Sequence, residues 1–230
     1  SDVEMALDFL DRAVRKIKSP EEPVVRIATG TTISAYWLYE RLQTFSRSEN
    51  ACNIYVSTSD STAEVMSESN DLFVLFCDGY VQGLKCMKIF DCELAPAAAP
   101  DVADDIVHSG IFSDNKSNSD TPPLLEYSNM NPDWVNWDIW LREMGKPEIK
   151  HWPTLQCDSF IESIAKARAG LGICLMHQPM MQKEIDDGAL VKIDTQSYIT
   201  KKSYYLCHHE GTILSQNAKN LLEFLLGLDM

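Results

Sequence analysis

The stretch VVRIATGTTISAYWLYERLQTF, residues 24–45, holds one complete strand–turn–helix unit. Val24 to Thr29 is a short apolar run of the strand type, and Leu38, Leu42 and Phe45 recur at helical spacing through Ser34 to Ser46. The alternation continues downstream. Asn53 to Thr58 alternates like a strand, Ser61-x-x-Glu64 has the form of a capping box opening a short helix, and Asp71 to Phe76 is apolar enough to be buried on both faces. Strands alternating with helices predict βαβ units around a mainly parallel sheet, an α/β fold.

A second α/β series follows SGIFSDNKSNSDTPP, residues 109–123, whose polarity predicts a surface loop. Asn131 is placed to cap a helix with Pro132 at its first position and Gly145 just past its end; Trp134, Trp137, Leu141 and Met144 share one face of it. Such a tryptophan cluster suggests a ligand box, yet that spacing is more often simple core packing. A strand at Thr154 to Cys157, a helix over Ser159 to Ala169 and a strand at Ile173 to Met176 follow. Pro179 starts another helix that Gly188 ends, and the chain closes with a strand at Tyr204 to Cys207 and a helix from about Leu214 to Leu226. At the other end, Val3, Leu7, Leu10, Val14 and Ile17 draw one narrow helical seam before Pro20 and Pro23, a short coiled-coil pattern or an amphipathic helix packed on its own domain.

The chain of 230 residues is 45% apolar, enough for one large core or two small ones. No apolar run reaches the roughly 18 residues that cross a bilayer, and Asp2, Glu4, Asp8 and Asp11 do not fit a signal peptide, so a cytoplasmic protein is expected. With 34 acidic against 20 basic residues the formal charge is -14, which repels a phosphate backbone and argues against DNA binding by this stretch itself. The seven cysteines are odd in number and form no CxxC, so buried free thiols are expected rather than disulfides or a zinc site.

Motifs of known chemistry are missing: no GxGxxG, no Walker loop, no GxSxG. Cys174-x-x-His177 and Cys207-His208 are isolated pairs and read as strand residues, and His208-His209 alternate across a strand; no metal, no cofactor and no enzymatic activity are expected. Two polar strand-to-helix turns stand out instead, Thr29-Gly30-Thr31-Thr32-Ile33-Ser34 and Asp158-Ser159-Phe160. Helix starts carry free N–H groups and partial positive charge, so two of them aimed at one crevice suit a carboxylate or other polar group; each singly is also ordinary capping. In open α/β sheets that crevice lies beyond the carboxyl ends of the strands.

Residues 24–45 together with STSDSTAEVMSESNDLFVLFCDG (57–79) and GLKCMKIFDCELAPAAAP (83–100) resemble the start of the effector-binding domain of LysR-type transcriptional regulators. PDWVNWDIWLREMG (132–145) resembles the tryptophan-bearing helix of the subgroup holding the β-lactamase and glycine-cleavage activators; CDSFIESIAKARAGLGICLM (157–176), GALVKI (188–193) and KKSYYLC (201–207) continue the resemblance in order. It covers about residues 23 to 226. The resemblance implies a two-lobed, periplasmic-binding-protein-like fold of type 2, with two crossovers near Leu94 to Ala98 and Thr200 to Tyr204. Residues 23–96 and 203–230 would form lobe I, 97–202 lobe II, and 1–19 the end of a linker helix whose seam residues Val3, Leu7, Leu10, Val14 and Ile17 dimerise.

What the resemblance implies for function is a small-molecule effector bound between the lobes, with a homodimer, or a tetramer at full length, reaching DNA only through an N-terminal winged helix-turn-helix outside this chain. Carried onto this sequence, the pocket comprises Thr31 and Thr32, then Cys77, Asp78 and Gly79, then Asp158, Ser159 and Phe160, and Tyr204 near the second crossover. Cys77 stands where the family commonly has a polar residue or glycine, and the loop 109–123 is long. Other readings on the same scaffold are a solute-binding receptor of a transport system, an enzyme, and a ligand-free oligomerisation domain of a regulator.

Overall fold

The computed structural model describes residues 24–109, 121–127, 135–146, 149, 151–193 and 196–227. The seam residues Val3, Leu7, Leu10, Val14 and Ile17, most of the loop 109–123, and Asn131, Pro132 and Trp134 lie outside them.

The first unit forms as its pattern demands. β1 (Val25–Thr29) runs into a continuous helical segment, α1, made of Thr31–Ile33, the π-helical Ser34–Leu38 and Tyr39–Phe45. Trp37, Leu38 and Phe45 turn inward, and the same face meets α7 (Gln216–Leu225) where Phe45 and Phe224 rings lie 5.1 Å apart. β2 (Ile54–Thr58) and β3 (Leu72–Cys77) both pair parallel to β1, with the short helix α2 (Thr62–Val65) between them. The expected capping box at α2 does not form: Ser61 makes no side-chain cap, and Glu64 accepts instead from Ser59 Oγ.

Two long strands change the character of the sheet. β4 (Leu84–Ala98) and β9 (Tyr198–His209) pair antiparallel, β9 also pairs antiparallel to β3, and with β7 (Cys174–His177) the order is β2-β1-β3-β9-β4-β7, β8 (Val191–Lys192) also pairing with β4. The expectation of a mainly parallel sheet is thus corrected: the β1–β2–β3 group is parallel, while β4, β7, β8 and β9 join it by antiparallel pairing. Strand β4 serves two neighbourhoods, facing β9 from Leu84 and facing β7 (Cys174–His177) through Leu94 to Ala97. Its bulges, between Lys88 and Phe90 and between Asp91 and Glu93, increase the local twist where it passes from one to the other.

The later series is built around a small parallel pair, β5 (Leu124–Tyr127) and β6 (Thr154–Cys157). Leu125 N donates to Ile173 O at 2.8 Å and Ile173 N to Pro123 O at 2.9 Å, which stitches the pair to the chain entering β7. Gly172 makes this approach possible: a Cβ there would stand 2.4 Å from the Pro123 carbonyl, at φ +156°. Helix α3 (Pro100–Ser109) packs beside β4, and Thr121 is buried rather than part of an exposed loop. Helix α4 is Trp137–Glu143, capped by Asn136 Oδ1, which accepts from Ile139 N at 3.0 Å, so it starts later than the Asn131–Pro132 signal predicts. α5 (Phe160–Arg168) is capped by Ser159 as expected. α6 (Gln182–Asp186) starts three residues beyond Pro179, which sits in a turn.

Trp137 and Trp140 belong to the core. Each is at most 4% exposed, and each buried indole N–H donates to a backbone carbonyl, Trp137 to Leu125 O at 3.0 Å and Trp140 to Leu94 O at 3.1 Å. Both therefore tie α4 to strands, and neither lines the cavity at the ends of β1 and β3.

Candidate functional site

Beyond the carboxyl ends of β1, β2 and β3 lies a cavity of about 350 Å³. This is where an open parallel arrangement leaves helix starts and strand ends free to converge. Gly30, Thr31, Thr32 and Ile33 contribute from the β1–α1 turn, Ser59, Asp60 and Thr62 from the β2–α2 turn, and Val74 to Cys77 from the end of β3. The opposite wall comes from distant sequence: Cys92 on β4, Tyr127 on β5, Val135, Phe160 on α5, His177 on β7 and Tyr204 on β9.

Of the residues singled out from sequence, Thr31, Thr32, Cys77, Phe160 and Tyr204 line this space, and Asp78, Gly79, Asp158 and Ser159 do not. The second group is occupied with turns and caps. Asp78 Oδ1 accepts from Tyr80 N at 3.3 Å, and Gly79 holds φ +96° with Tyr205 packed so closely that a Cβ would lie 2.7 Å from its hydroxyl. Ser159 Oγ accepts from Glu162 N at 3.1 Å, and Asp158 N donates to Glu162 Oε2 at 2.5 Å. These are helix-start bonds, so for Asp158-Ser159 the capping reading is the one realised.

The expected anion seat at the other turn is also modified. Thr31 N points at Asp60 Oδ1, 3.4 Å away, so the start of α1 faces a carboxylate of the protein itself. No lysine or arginine is among the described residues lining the cavity.

Sequence reasoning missed Asp60, Cys92, Tyr127 and His177. The signal for Asp60 is the one used for the other turns, a polar strand-to-helix junction; the remainder depend on how β4, β5 and β7 are brought together. His177 is the centre of that wall. Its Nδ1 lies 3.4 Å from both Cys92 Sγ and Tyr204 Oη, and its ring stands edge-on to Phe160 with centroids 4.8 Å apart. Tyr204 in turn packs between Phe76 (5.1 Å) and Phe90 (5.0 Å).

Burial decides the protonation of this trio. Desolvation lowers the His177 pKa to about 4, pushes Cys92 up to about 12, and raises Tyr204 well above the ordinary phenol value. A cysteine beside a histidine is the arrangement of a thiol nucleophile and its base. Here both are held neutral, the reverse of the thiolate–imidazolium pair that such chemistry needs. Among the described residues no group of three or more His, Cys, Asp and Glu is arranged to hold a metal ion, and no helix is long and apolar enough to cross a membrane.

Residues 120–228 match the model of the LysR substrate binding domain. Over those residues, just under half of its length, the chain is similar to that domain. Its curated relatives include the HTH-type transcriptional activator AmpR of Rhodobacter capsulatus, 22% identical over 194 residues that make up 83% of this chain and 62% of that protein. The glycine cleavage system transcriptional activator of Escherichia coli K12 is 21% identical over 216 residues, 91% of this chain and 67% of the relative. The chain thus spans about two-thirds or less of these relatives' lengths. Among solved structures it resembles the effector domain of the transcriptional regulator AmpR of Pseudomonas aeruginosa, with a TM-score of 0.67, 19% identity, and coverage of 89% of this chain and 94% of that one. The α/β fold with a curled mixed sheet is that of LysR effector domains, the type 2 periplasmic-binding-protein-like fold.

Proposed function

We propose that this domain is a receptor: a small molecule occupies the cavity beyond β1, β2 and β3, and occupancy controls a DNA-binding head in a longer protein. The observation that carries the reading is the cavity itself, which gathers side chains from both sequence halves yet holds the Cys92–His177 thiol–imidazole pair in the unreactive, neutral form. Its volume of about 350 Å³ lies near the lower end of the roughly 300–1,000 Å³ typical of ligand pockets.

A ligand contacting both β3 and β7 has different affinity for different arrangements of the two halves, and that difference is all that is needed to shift their populations. On this reading residues 23–96 with 203–230 and residues 97–202 act as the two lobes, 1–19 as a dimerising segment, and the protein works in the cytoplasm as a binding module rather than a catalyst. Thr31, Thr32, Cys77, Phe160 and Tyr204 are proposed to touch the ligand.

A thermal-shift screen against metabolites tests it, with Cys77→Trp filling the cavity. At least one compound is expected to raise Tm in the wild type and lose that effect in the variant. Compounds that stabilise both proteins equally, or no stabilising compound at all, contradict the reading.

A further inference from the structure

We propose that the ligand of this cavity is a compact, largely apolar molecule without negative charge, presenting an amine or hydroxyl to Asp60 and an uncharged oxygen acceptor to His177. The inference rests on the receptor reading above and specifies the chemistry of the same site.

The walls set the body of the ligand. Val74, Leu75 and Phe76 on one side and Tyr127, Phe160 and Tyr204 on the other leave mainly apolar and aromatic surface, suited to a ring or a short hydrocarbon. Asp60 sets one end. It is the only carboxylate among the described lining residues, it is exposed at the rim, and no described lysine or arginine in the lining balances it. An anionic group entering beside the start of α1 meets this charge instead of the free helix N-terminus, whose Thr31 amide already faces Asp60.

His177 sets the other end. The Tyr204 hydroxyl and the Cys92 thiol both keep their protons and stand 3.4 Å from Nδ1, placed to donate to it. An imidazole that accepts at Nδ1 while neutral carries its proton on Nε2. Among the described residues no group hydrogen-bonds Nε2, so in that tautomer the Nε2–H is a donor at the cavity with room for an acceptor. A carbonyl, hydroxyl or ether oxygen meets it without the cost of stripping water from a charge in apolar surroundings.

Three matched probes separate the possibilities by calorimetry on the whole chain: 2-phenylethylamine, acetophenone and phenylacetate. The amine and the ketone are expected to bind, and phenylacetate to bind about tenfold or more weakly than the amine. Asp60→Asn is expected to weaken the amine about threefold or more and leave the ketone unchanged; His177→Phe is expected to weaken the ketone and leave the amine nearly unchanged. Phenylacetate binding as tightly as the amine in the wild type overturns this inference and leaves the receptor reading standing. Failure of all three while other metabolites stabilise the protein overturns it as well; failure of every compound removes the receptor reading with it.

Discussion

Acidification from pH 7 to pH 4 tests the buried trio. His177 has a folded pKa lowered to about 4 by desolvation, against an ordinary value of 6.5. Between those values the unfolded chain binds a proton at this position that the folded chain does not, so the contribution of His177 is fully present above pH 6.5 and is lost as pH falls toward 4. A difference of that size corresponds to about 3 kcal/mol by pH 4, at about 1.4 kcal/mol per unit. Other groups titrate too: Asp91 and Glu162, both held low by lysine partners, also lose stabilising charge in acid. A His177→Gln variant removes only the histidine. Urea unfolding of both proteins at pH 7 and pH 4 is expected to show the wild type losing about 3 kcal/mol more than the variant. Equal losses in the two proteins would refute the claim that His177 is kept neutral by burial.

Three substitutions test the framework around the cavity. Gly172→Ala drives a methyl into the Pro123 carbonyl at a backbone angle that alanine rarely adopts, and is expected to lower stability by about 2 kcal/mol or more in chemical denaturation. Trp140→Phe removes the donor to Leu94 O and leaves a void in a fully buried site, at a cost of about 2–4 kcal/mol measured the same way. Ser159→Ala removes the cap of α5 and is expected to cost about 1 kcal/mol while leaving ligand affinity unchanged, since Ser159 faces Glu162 and not the cavity. A large loss of affinity in that last variant would return Ser159 to the binding site.

Local chemistry made some parts of this fold readable. β1, β2, β3 and β6 each lie within a residue or two of their apolar patterns, and Ser159 caps its helix, because strand burial and N-capping are decided by neighbouring residues. The extent of β4 was hidden: Leu84 to Ala98 includes Pro96, two bulges break its period of two, and its partners change along its length. The antiparallel joining of β9 was hidden for the same reason, since only long-range pairing determines direction.

The cavity divides along the same line. Thr31, Thr32, Cys77, Phe160 and Tyr204 are on its wall, and their turns and strands carry recognisable sequence. His177 reads as an ordinary residue of a short strand until β7 is laid against β4, which brings it to Cys92 and Tyr204. Asp78 and Ser159 illustrate the opposite outcome, polar turn residues whose hydrogen bonds are consumed by their own turns.

The most direct measurement is the histidine side-chain NMR spectrum of the protein as a stabilising compound is added. Its five histidines, at positions 108, 151, 177, 208 and 209, report from separate places. A ligand seated between Asp60 and Tyr204 shifts the His177 imidazole and leaves His108 unmoved; a saturating ligand that shifts surface histidines and leaves His177 unchanged places its site elsewhere and contradicts the account.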